Sequence, residues 1–442
     1  MKECFNSQQQ LILIYSHKLT SRLRYIFKTI FTDVLQIPVN FTDNIEAFEN
    51  SNSVKINYSN TKLNSGIFFQ SSSILFETGI KEQNITVFEF EGNKCFFKVG
   101  KESVFTFDPF AASFYLISRY EEYLPHIKDQ HERFIASESL AFQHHFLDKP
   151  LVNIWINLIA KKIEAYYEEF KFPKREFKYI STIDIDNAYA YKNKGFNRIA
   201  GGLLKALIKE HNFIERLKVL FGKKPDPYDT FDYQFQIHKK YNISPIYFFL
   251  LGDYDVNDKN IPVKNKSFQS LIKSVADYYK VGIHPSYASN KNVEILEKEI
   301  KRLQSITHRN ITKSRQHFLK LNFPHTYRNL IDNDIQTDFT MGYAEKSGFR
   351  ASICSPYFFY DLDTEVETKL QVYPFTIMEA TYQYYENYSI DKIIEKITEL
   401  IHKVKEVNGT FVSVWHNESL SDEGIWKGWK SIYELMLEEV KK

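Results

Sequence analysis

Two carboxylates stand one residue apart where an apolar segment of the chain ends. The segment from Tyr179 to Ile185 is rich in residues that favour strands, and its end carries Asp184 and Asp186. Alternate residues of a strand face the same way, so the two charges are predicted to lie close together. Such crowding costs free energy unless a metal ion, an arginine or a shared proton offsets it. This segment therefore predicts the edge of an active site.

Histidine and arginine side chains stand at the ends of other predicted strands and extend this candidate site. They are His284, the closely spaced Arg315 and His317, and His416. One carboxylate with two histidines is a common ligand set for zinc and similar divalent ions that keep an open position. Asp186, His284 and His317 are therefore the predicted metal ligands. Each histidine also has a plainer interpretation, because a histidine at a strand end often serves only as a hydrogen-bond partner.

The remaining charged residues have separate predicted roles in hydrolysis. A divalent ion lowers the pKa of bound water toward about 7, and Asp184 would take the proton from that water as general base. Arg315 would keep Asp184 ionised and oriented, although it could also form an ordinary surface ion pair. His416 would protonate a leaving amine or alcohol. Together these roles predict hydrolysis of an acyl group.

The elements that must position these residues alternate between strand and helix patterns from Lys178 onward. Such alternation predicts a parallel sheet. About seven strands favour a fold of the α/β class, a distorted (β/α)7 barrel, in which chemistry takes place at the carboxyl ends of the strands. The predicted strands are Tyr179–Ile185, Pro245–Leu251, Val281–His284, Arg315–Leu321, Ala351–Ile353, Gln371–Phe375 and Thr410–Trp415.

The first part of the chain predicts a smaller α+β domain over residues 1–172, followed by the barrel domain over residues 173–442. The boundary is predicted near Pro173, which lies in a charged stretch. Short predicted strands are punctuated by Asn, Ser and Gly, and they lie at 11–15, 53–58, 66–69, 74–77, 86–90 and 95–99. Helices are predicted at 16–31, 110–123 and 150–170. No catalytic set of residues stands out here, and the role of this domain is left open.

A strongly basic insertion at about 190–228 does not belong to a minimal barrel. From Lys192 to Lys224 the lysines and arginines greatly outnumber the two acids, Glu210 and Glu215, and the apolar residues predict an amphipathic helix; the basic residues are Lys192, Lys194, Arg198, Lys205, Lys209, Arg216, Lys218, Lys223 and Lys224. It follows Asp186 directly, so it is expected at the mouth of the site. A lid, a surface for an anionic ligand, a peripheral membrane helix and a simply solvated insertion all remain open.

The composition of the 442-residue chain excludes several classes of protein. A net charge of +2 gives no strong attraction to nucleic acid. The three cysteines, Cys4, Cys95 and Cys354, are far apart and form no C-x-x-C pair, so no disulfide framework or cysteine zinc site is predicted. No apolar stretch is long enough for a transmembrane helix, and the first residues lack the pattern of a secretion signal. These features predict a cytoplasmic protein.

The motifs around the candidate site resemble those of the NodB-homology polysaccharide deacetylases, carbohydrate esterase family 4. Thr182–Asp186 resembles the first family motif, which carries a catalytic base and a metal-binding Asp. Arg315 resembles the Arg of the third motif, and Val414-Trp415-His416 resembles the last. The second motif normally has two metal-binding histidines, but here His284 is followed by Ala288 at the second position. We therefore infer His317 as the replacement ligand.

The resemblance is closer to a subgroup from Bacteroidetes-type bacteria, in which an N-terminal domain of unknown role precedes the barrel. The phrases that carry it are Asp108–Tyr123, Gly282–Tyr287, Ser314–His317, Asp338–Ala344, Gly348–Arg350 and Trp415–Asn417. It implies a zinc-dependent deacetylase, with cobalt or nickel as alternatives. The enzyme would cleave non-peptide C–N amide or ester bonds of an acetylated carbohydrate in surface-polysaccharide metabolism. Tyr287, Trp415 and Asn417, which lie in these phrases, are predicted to contact the substrate.

The departure at Ala288 supports an alternative function. A barrel that lacks a metal-binding histidine could be a catalytically inactive, deacetylase-like protein that binds carbohydrate or serves as a scaffold. Elemental content distinguishes the two hypotheses, because only the hydrolase requires a bound metal ion.

Overall fold

A computed structural model describes residues 11–209 and 213–442. Cys4 and Glu210 lie outside the described residues, as do the side chains of Lys205, Ile208 and Lys209. Cys95 and Cys354 are both buried and are not joined in a disulfide. None of the described helices is long and apolar enough to cross a membrane.

The first part of the chain contains a four-stranded, all-parallel sheet in the order β2-β1-β3-β4. Its apolar strands lie under helices, and a short antiparallel ribbon, β5-β6, stands apart. The strands are β1 Ile12–Tyr15, β2 Val39–Thr42, β3 Val54–Ser59, β4 Ile67–Gln70, β5 Phe88–Phe90 and β6 Asn93–Cys95. The helices are α1 Ser21–Phe27, α2 Ile45–Glu49, α3 Pro109–Ile117, α4 Leu140–Gln143 and α5 Leu151–Tyr166.

Helix α3 shows how the sequence sets an element boundary here. The Asp108 side chain accepts hydrogen bonds from the backbone N–H groups of Phe110 and Ala111, both at 3.0 Å, and Pro109 fits the first helical turn. The Asp108 carboxylate also accepts the Tyr58 hydroxyl at 2.6 Å, which ties the start of the helix to β3. Every residue of α3 is buried, so this helix forms the centre of the first core.

Several predictions for the first part of the chain are wrong in detail. The predicted strand at 74–77 is a 3₁₀ turn over Ile74–Phe76, and the predicted strand at 95–99 is only the short β6. Strand β2 was not predicted. Ile74 and Leu75 are fully buried, so their apolar character reflects packing against the core and not strand pairing.

The second part of the chain is built on a nine-stranded sheet in the order β12-β13-β11-β10-β9-β8-β7-β15-β14. All neighbours are parallel except the β12-β13 pair. The strands are β7 Lys178–Ile185, β8 Ile246–Leu250, β9 Lys280–His284, β10 Lys313–Ser314, β11 Thr337–Asp338, β12 Tyr357–Asp361, β13 Val366–Val372, β14 Ile377–Met378 and β15 Thr410–His416. The helices are α6 Phe196–Lys209, α7 Phe213–Leu220, α8 Phe231–Lys240, α9 Lys266–Tyr278, α10 Val293–Thr307, α11 His325–Asp332, α12 Glu379–Thr381, α13 Ile390–Glu406 and α14 Trp429–Lys441.

The segment between β13 and β14 joins the two ends of the parallel sheet. Strand β13 pairs with β11, and the chain then continues into β14, which pairs with β15. Between them the Phe375 N–H donates to Met341 and the Thr376 N–H donates to Val412, at 3.0 and 2.9 Å. Counting β13 and β14 as one bent segment gives seven parallel segments, which agrees in number with the predicted barrel. A separate apolar cluster that includes Phe248 packs side chains from strands distant in the sheet order.

The predicted strands with continuous apolar runs are present, but two of the other predicted strands do not form. In place of the predicted strand Arg315–Leu321, β10 ends at Ser314 and a 3₁₀ turn covers His317–Leu319. No strand covers Ala351–Ile353 in this described part of the chain, and β12 forms instead a few residues later. Ala351 and Ile353 are fully buried, so their apolar pattern again reflects packing in an irregular segment.

Candidate metal centre

Parallel pairing brings the sequence-predicted residues to one edge of the sheet. Asp184 on β7 is the register partner of His416 on β15, and Leu250 on β8 is the register partner of His284 on β9. Because these neighbouring strands run in the same direction, their carboxyl ends meet at one place. Asp186 follows β7 by one residue and lies in the middle of the group.

Three predicted ligands converge on a single point. The Asp186 carboxylate lies with Oδ1 3.1 Å from His284 Nε2 and with Oδ2 3.3 Å from His317 Nε2. One ligand atom from each of these three residues lies within 4.8 Å of the other two. The two histidines are buried, whereas a quarter of the Asp186 side chain is exposed. The set therefore has a protein-covered side and an open side.

Each of the two histidines has a hydrogen-bond partner at Nδ1, the ring nitrogen that points away from Asp186. These hydrogen bonds determine that Nε2 presents its lone pair to Asp186. His284 Nδ1 lies 2.5 Å from the Arg315 carbonyl oxygen, and His317 Nδ1 lies 2.8 Å from the Asp258 carboxylate. Both partners are acceptors, so each Nδ1 carries the proton and each Nε2 of a neutral ring presents a lone pair. Partners of this kind commonly orient the histidine ligands of metal ions.

The donor set fits a divalent metal ion. Two neutral Nε2 atoms and the Asp186 oxygens would otherwise face each other lone pair to lone pair, which is unfavourable unless a cation lies between them. Asp186 Oδ1 is buried and has no aligned hydrogen bond among the described residues, although His284 Nε2 is close. Two nitrogens and one carboxylate are ligands that suit zinc and related ions with an open position.

When the ligand set holds no metal ion, a proton can supply the positive charge that lies between the lone pairs. Burial alone would lower the pKa of His317, but Asp186 and Asp258 raise it to about 9. Burial alone would raise the pKa of Asp186, but His317 and His284 hold it well below its usual range. Metal ions must displace this proton, because histidine binds metal only in its neutral form.

Asp184 lies beside the ligand set, with Oδ2 3.9 Å from His284 Nε2, and has a charged partner of its own. The Arg315 Nε lies 3.5 Å from Asp184 Oδ1, and both side chains are almost completely buried. Arg315 also donates through Nη2 to the Thr182 hydroxyl at 2.6 Å, which fixes the guanidinium beneath the carboxylate. Asp184 Oδ1 has no hydrogen-bond partner among the residues that the structure describes. A buried carboxylate oxygen with an adjacent fixed cation is suited to accept a proton.

His416 faces the ligand set from the opposite side. Its Nδ1 lies 2.7 Å from the buried Glu379 carboxylate, and its Nε2 lies 4.0 Å from Asp186 Oδ2. Burial alone would lower the pKa of His416, but Glu379, Asp186 and Asp184 raise it well above the ordinary histidine value. His416 is thus a positively charged group with a proton directed at the cleft.

The ligand set, Asp184 and His416 all line one cleft, which has a volume of about 170 Å³. Its polar floor is formed by Asp184, Asp186 and the histidines, and its wall is largely apolar and aromatic. The wall residues include Phe318, Leu319, Met378, Tyr384 and Tyr385. Arg133, from the first part of the chain, also lines the cleft. An apolar wall beside a charged floor suits a small acyl group with a polar reaction centre.

The three predicted substrate contacts lie elsewhere. Trp415 is fully buried and packs against Trp429 and Tyr433, with ring centroids 5.9 and 4.7 Å apart, so its side chain belongs to the core. Asn417 is also buried, and its amide donates to two backbone carbonyls of the chain between β7 and β8. Tyr287 is half-buried at the rim, where its ring packs against Phe318.

Three functional residues were not predicted. Asp258 accepts from His317 Nδ1 and from the Tyr287 N–H, Glu379 holds His416, and Arg133 enters the cleft from the first part of the chain. Asp258 and Glu379 are completely buried, which is rare for carboxylates that lack a partner. The sequence shows only isolated carboxylates in connecting segments, so no local pattern could have identified them.

Comparisons with known proteins give a family match and a set of distant structural matches. Residues 12–168 match a family of unknown function (DUF7033). No match was found among curated proteins. A candidate polysaccharide deacetylase from Mycobacterium smegmatis is similar at 13% identity, over 61% of this chain and 86% of that chain, with a TM-score of 0.40.

Two further solved structures show the same distant likeness. A polysaccharide deacetylase from Bacillus cereus matches at 12% identity, over 61% of this chain and 88% of that chain, with a TM-score of 0.29. A pseudoenzyme of carbohydrate esterase family 4 from Bacillus anthracis matches at 11% identity, over 60% and 61% of the two chains, also with a TM-score of 0.29. Similarity this distant, to enzymes and to a pseudoenzyme alike, assigns no activity.

Proposed function

We propose that this protein is a metal-dependent hydrolase that removes acetyl groups from an N- or O-acetylated carbohydrate. The observation that carries the proposal is the convergence of Asp186, His284 and His317 in one cleft. Asp184 and His416 flank that ligand set, and each is held by an oppositely charged partner of its own. A packed core has no need for so many charged groups at one point.

The ligand set would hold zinc, with cobalt or nickel as alternatives. Such an ion would supply Lewis-acid polarisation of the acetyl carbonyl and would lower the pKa of a water molecule. Asp186, held between two histidines, supplies the negative charge of the set. Asp258 and the Arg315 carbonyl keep both rings turned toward it.

The flanking residues divide the proton transfers between them. Asp184, whose Oδ1 lies 3.5 Å from the Arg315 guanidinium, is the general base that takes a proton from the attacking water. His416, kept protonated by Glu379, is the general acid that gives a proton to the leaving amine or alcohol. The open side of Asp186 and the apolar wall between Phe318 and Tyr384 admit the acetyl group.

The choice of a carbohydrate substrate is supported by the motif resemblance described above. The same resemblance supports a role in surface-polysaccharide metabolism. The hypothesis of an inactive binding protein was motivated by Ala288. His317 lies 3.3 Å from Asp186, which supports it as the third ligand in place of the missing histidine and favours the hydrolase over the inactive binding protein.

Acetate release after metal depletion and reconstitution tests the proposal. Purified protein stripped by chelator and reloaded with zinc, cobalt or nickel should release acetate from N-acetylglucosamine oligomers or O-acetylated glycans. Asp184→Asn should lower the rate roughly 10²–10⁴-fold while metal content stays unchanged. Asp253→Asn, a change of the same type at an exposed carboxylate, should leave the rate unaltered. Full activity of Asp184→Asn, or protein that retains no metal, would contradict the proposal.

A further inference from the structure

A second cavity lies in the basic insertion that follows Asp186. It has a volume of about 550 Å³ and is lined by residues of helices α6 and α7 and of the loop after β8. Four of its lining residues are the cations Lys194, Arg198, Arg216 and Lys259, and none of its lining residues among those that the structure describes is a carboxylate. The volume falls within the range of cavities that bind small molecules.

Three of these cations, Lys194, Arg198 and Lys259, form no ion pair with a carboxylate among the described residues. Burial lowers the pKa of Lys194 to about 8; the charges of Arg198 and Arg216 act in the same direction, and those of Asp226 and Glu418 act against it. An anion in the cavity would relieve both the burial and the repulsion.

Arg198 is held in place by contacts that leave its charge uncompensated. Its two terminal nitrogens donate to the Lys259 and Asn260 carbonyl oxygens at 2.6 and 2.7 Å. Its guanidinium packs over the Tyr254 ring at 4.4 Å from the centroid. Carbonyl groups and a ring orient the guanidinium but do not neutralise it, so the arrangement resembles a preformed anion site.

The cavity adjoins the metal centre. Its wall begins at Ala190, and four residues of chain after Asp186 span at most about 14 Å. Asn417, next to His416, fastens this segment by donating to the Asn187 carbonyl at 3.0 Å. Burial raises the pKa of Glu418 to about 7, and the nearby charges of His416 and Lys194 both act to lower it. Glu418 thus lies between the cleft and the cavity.

We propose that this cavity binds a phosphoryl group, as a phosphate or diphosphate, on the substrate whose acetyl group occupies the metal cleft. The substrate class would then be an acetylated glycosyl phosphate or diphosphate. The link to the substrate rests on the proposed function, whereas anion binding by the cavity does not. Guanidinium and ammonium groups without carboxylate partners suit phosphoryl oxygens, and a cavity this size holds more than one phosphate.

Calorimetric titration with inorganic pyrophosphate at constant ionic strength tests the anion site. Lys194→Gln should weaken binding by at least about tenfold, because one charged contact is lost. The Lys194 side chain forms no hydrogen bond within the described residues, so this variant removes no internal hydrogen bond. Lys194→Gln combined with Arg198→Gln should abolish binding. Lys218→Gln combined with Lys223→Gln removes the same charge from the same insertion outside the cavity and should bind within about twofold of the parent.

Two outcomes would overturn the proposal. One is a parent protein that shows no saturable binding of pyrophosphate, and the other is equal weakening in both double variants. Asp184→Asn should bind pyrophosphate as the parent does. If Asp184→Asn binds pyrophosphate but the parent releases acetate from no glycan, the anion site stands and the proposed hydrolase fails.

A further comparison identifies the source of the phosphoryl group. Helix α6, which lines the cavity, also carries exposed apolar side chains, including Phe196 and Leu207, and a lipid carrier could contact them. Co-flotation with phosphatidylcholine vesicles that contain phosphatidic acid, lost in Lys194→Gln/Arg198→Gln, would assign a lipid phosphate. Binding of a soluble nucleoside diphosphate without flotation would assign a soluble glycosyl carrier.

Discussion

At the scale of single residues, the proton positions on two imidazole rings decide what the centre can hold. The Arg315 carbonyl and the Asp258 carboxylate fix the protons on Nδ1, so both Nε2 atoms point lone pairs at Asp186. The sequence predicted Asp186, His284 and His317 as ligands, and the structure brings the three together. The predicted strand over Arg315–Leu321 gave the wrong local structure for His317, because the turn after β10 leaves no pattern in the sequence.

Replacing His317 should remove metal binding. His317→Ala leaves only two protein ligands, and we expect the affinity for zinc or cobalt to fall more than about 100-fold, beyond the loss typical of an outer-shell partner. Titration of the metal-free protein with cobalt, followed by its visible absorption, measures this. His402→Ala removes an exposed histidine paired with Glu439 and should bind as the parent does. Unchanged cobalt spectra in His317→Ala would exclude this ligand set.

Replacing Glu379 should shift the pH dependence of the reaction. Burial alone lowers the pKa of His416, and Glu379 is the main group that raises it. Glu379→Gln removes the negative charge but keeps an acceptor for the His416 N–H, so the pKa of His416 should fall. Less of the general acid is then protonated at high pH. The alkaline limb of kcat/KM should move to lower pH by about one unit, and metal content should not change. An alkaline limb that stays in place would show that His416 is not the acid.

At the scale of elements, the length of the apolar run in each strand determined whether that strand could be predicted from the sequence. Strands β7, β8, β9 and β15 are buried apolar runs whose position is set by local composition, and the predicted bounds lie within one or two residues. Strands β10, β11 and β14 have two residues each, so their pairing depends on neighbours and leaves no local signal. The predicted strand over Arg315–Leu321 was wrong, because β10 ends at Ser314 and a 3₁₀ turn covers His317–Leu319.

The turn that carries His317 is held by the first part of the chain. Phe318 and Leu319 have φ angles of 59° and 53°, a left-handed conformation that costs about 1–3 kcal/mol at each such residue. Arg133 is anchored by Asp129 at 2.7 Å and donates to the Phe318 carbonyl at 2.8 Å. The His131 ring packs against Phe318 with centroids 4.8 Å apart. These contacts stabilise a conformation that the turn would not adopt alone.

Removing the Arg133 contact should therefore loosen the metal centre. We expect Arg133→Leu to raise deuterium exchange in residues 316–321 of the metal-free protein and to weaken cobalt binding roughly 10–100-fold. Arg24→Leu, the same substitution at an exposed site over the Phe41 ring, is the matched control. Exchange and cobalt affinity equal to those of the parent would show that the turn holds itself.

At the scale of the whole molecule, buried charges join the two parts of the chain. Glu122 accepts from Arg119 Nε at 2.7 Å and from Arg350 at 2.9 and 2.6 Å, and all three side chains are at most 2% exposed. Arg119 also donates to the Arg350 carbonyl. The boundary near residue 172 was predicted from a change in the strand and helix pattern of the sequence. The network of Arg119, Glu122 and Arg350 nevertheless joins residues on both sides of it. The two parts should therefore unfold together.

Replacing Glu122 tests that coupling. Glu122→Ala leaves Arg350 buried without its carboxylate, and we expect the free energy of unfolding to fall by about 3–5 kcal/mol. Glu132→Ala also removes ion pairs that cross between the two parts, to Lys291 and Lys320, but Glu132 is exposed and its loss should change stability far less. Urea denaturation followed by tryptophan fluorescence measures both variants. Trp155 lies in the first part and the other tryptophans lie in the second, so Trp155→Phe separates the signals. One shared transition that shifts in Glu122→Ala is the expected result, and two separate transitions in the parent would show that the parts fold independently.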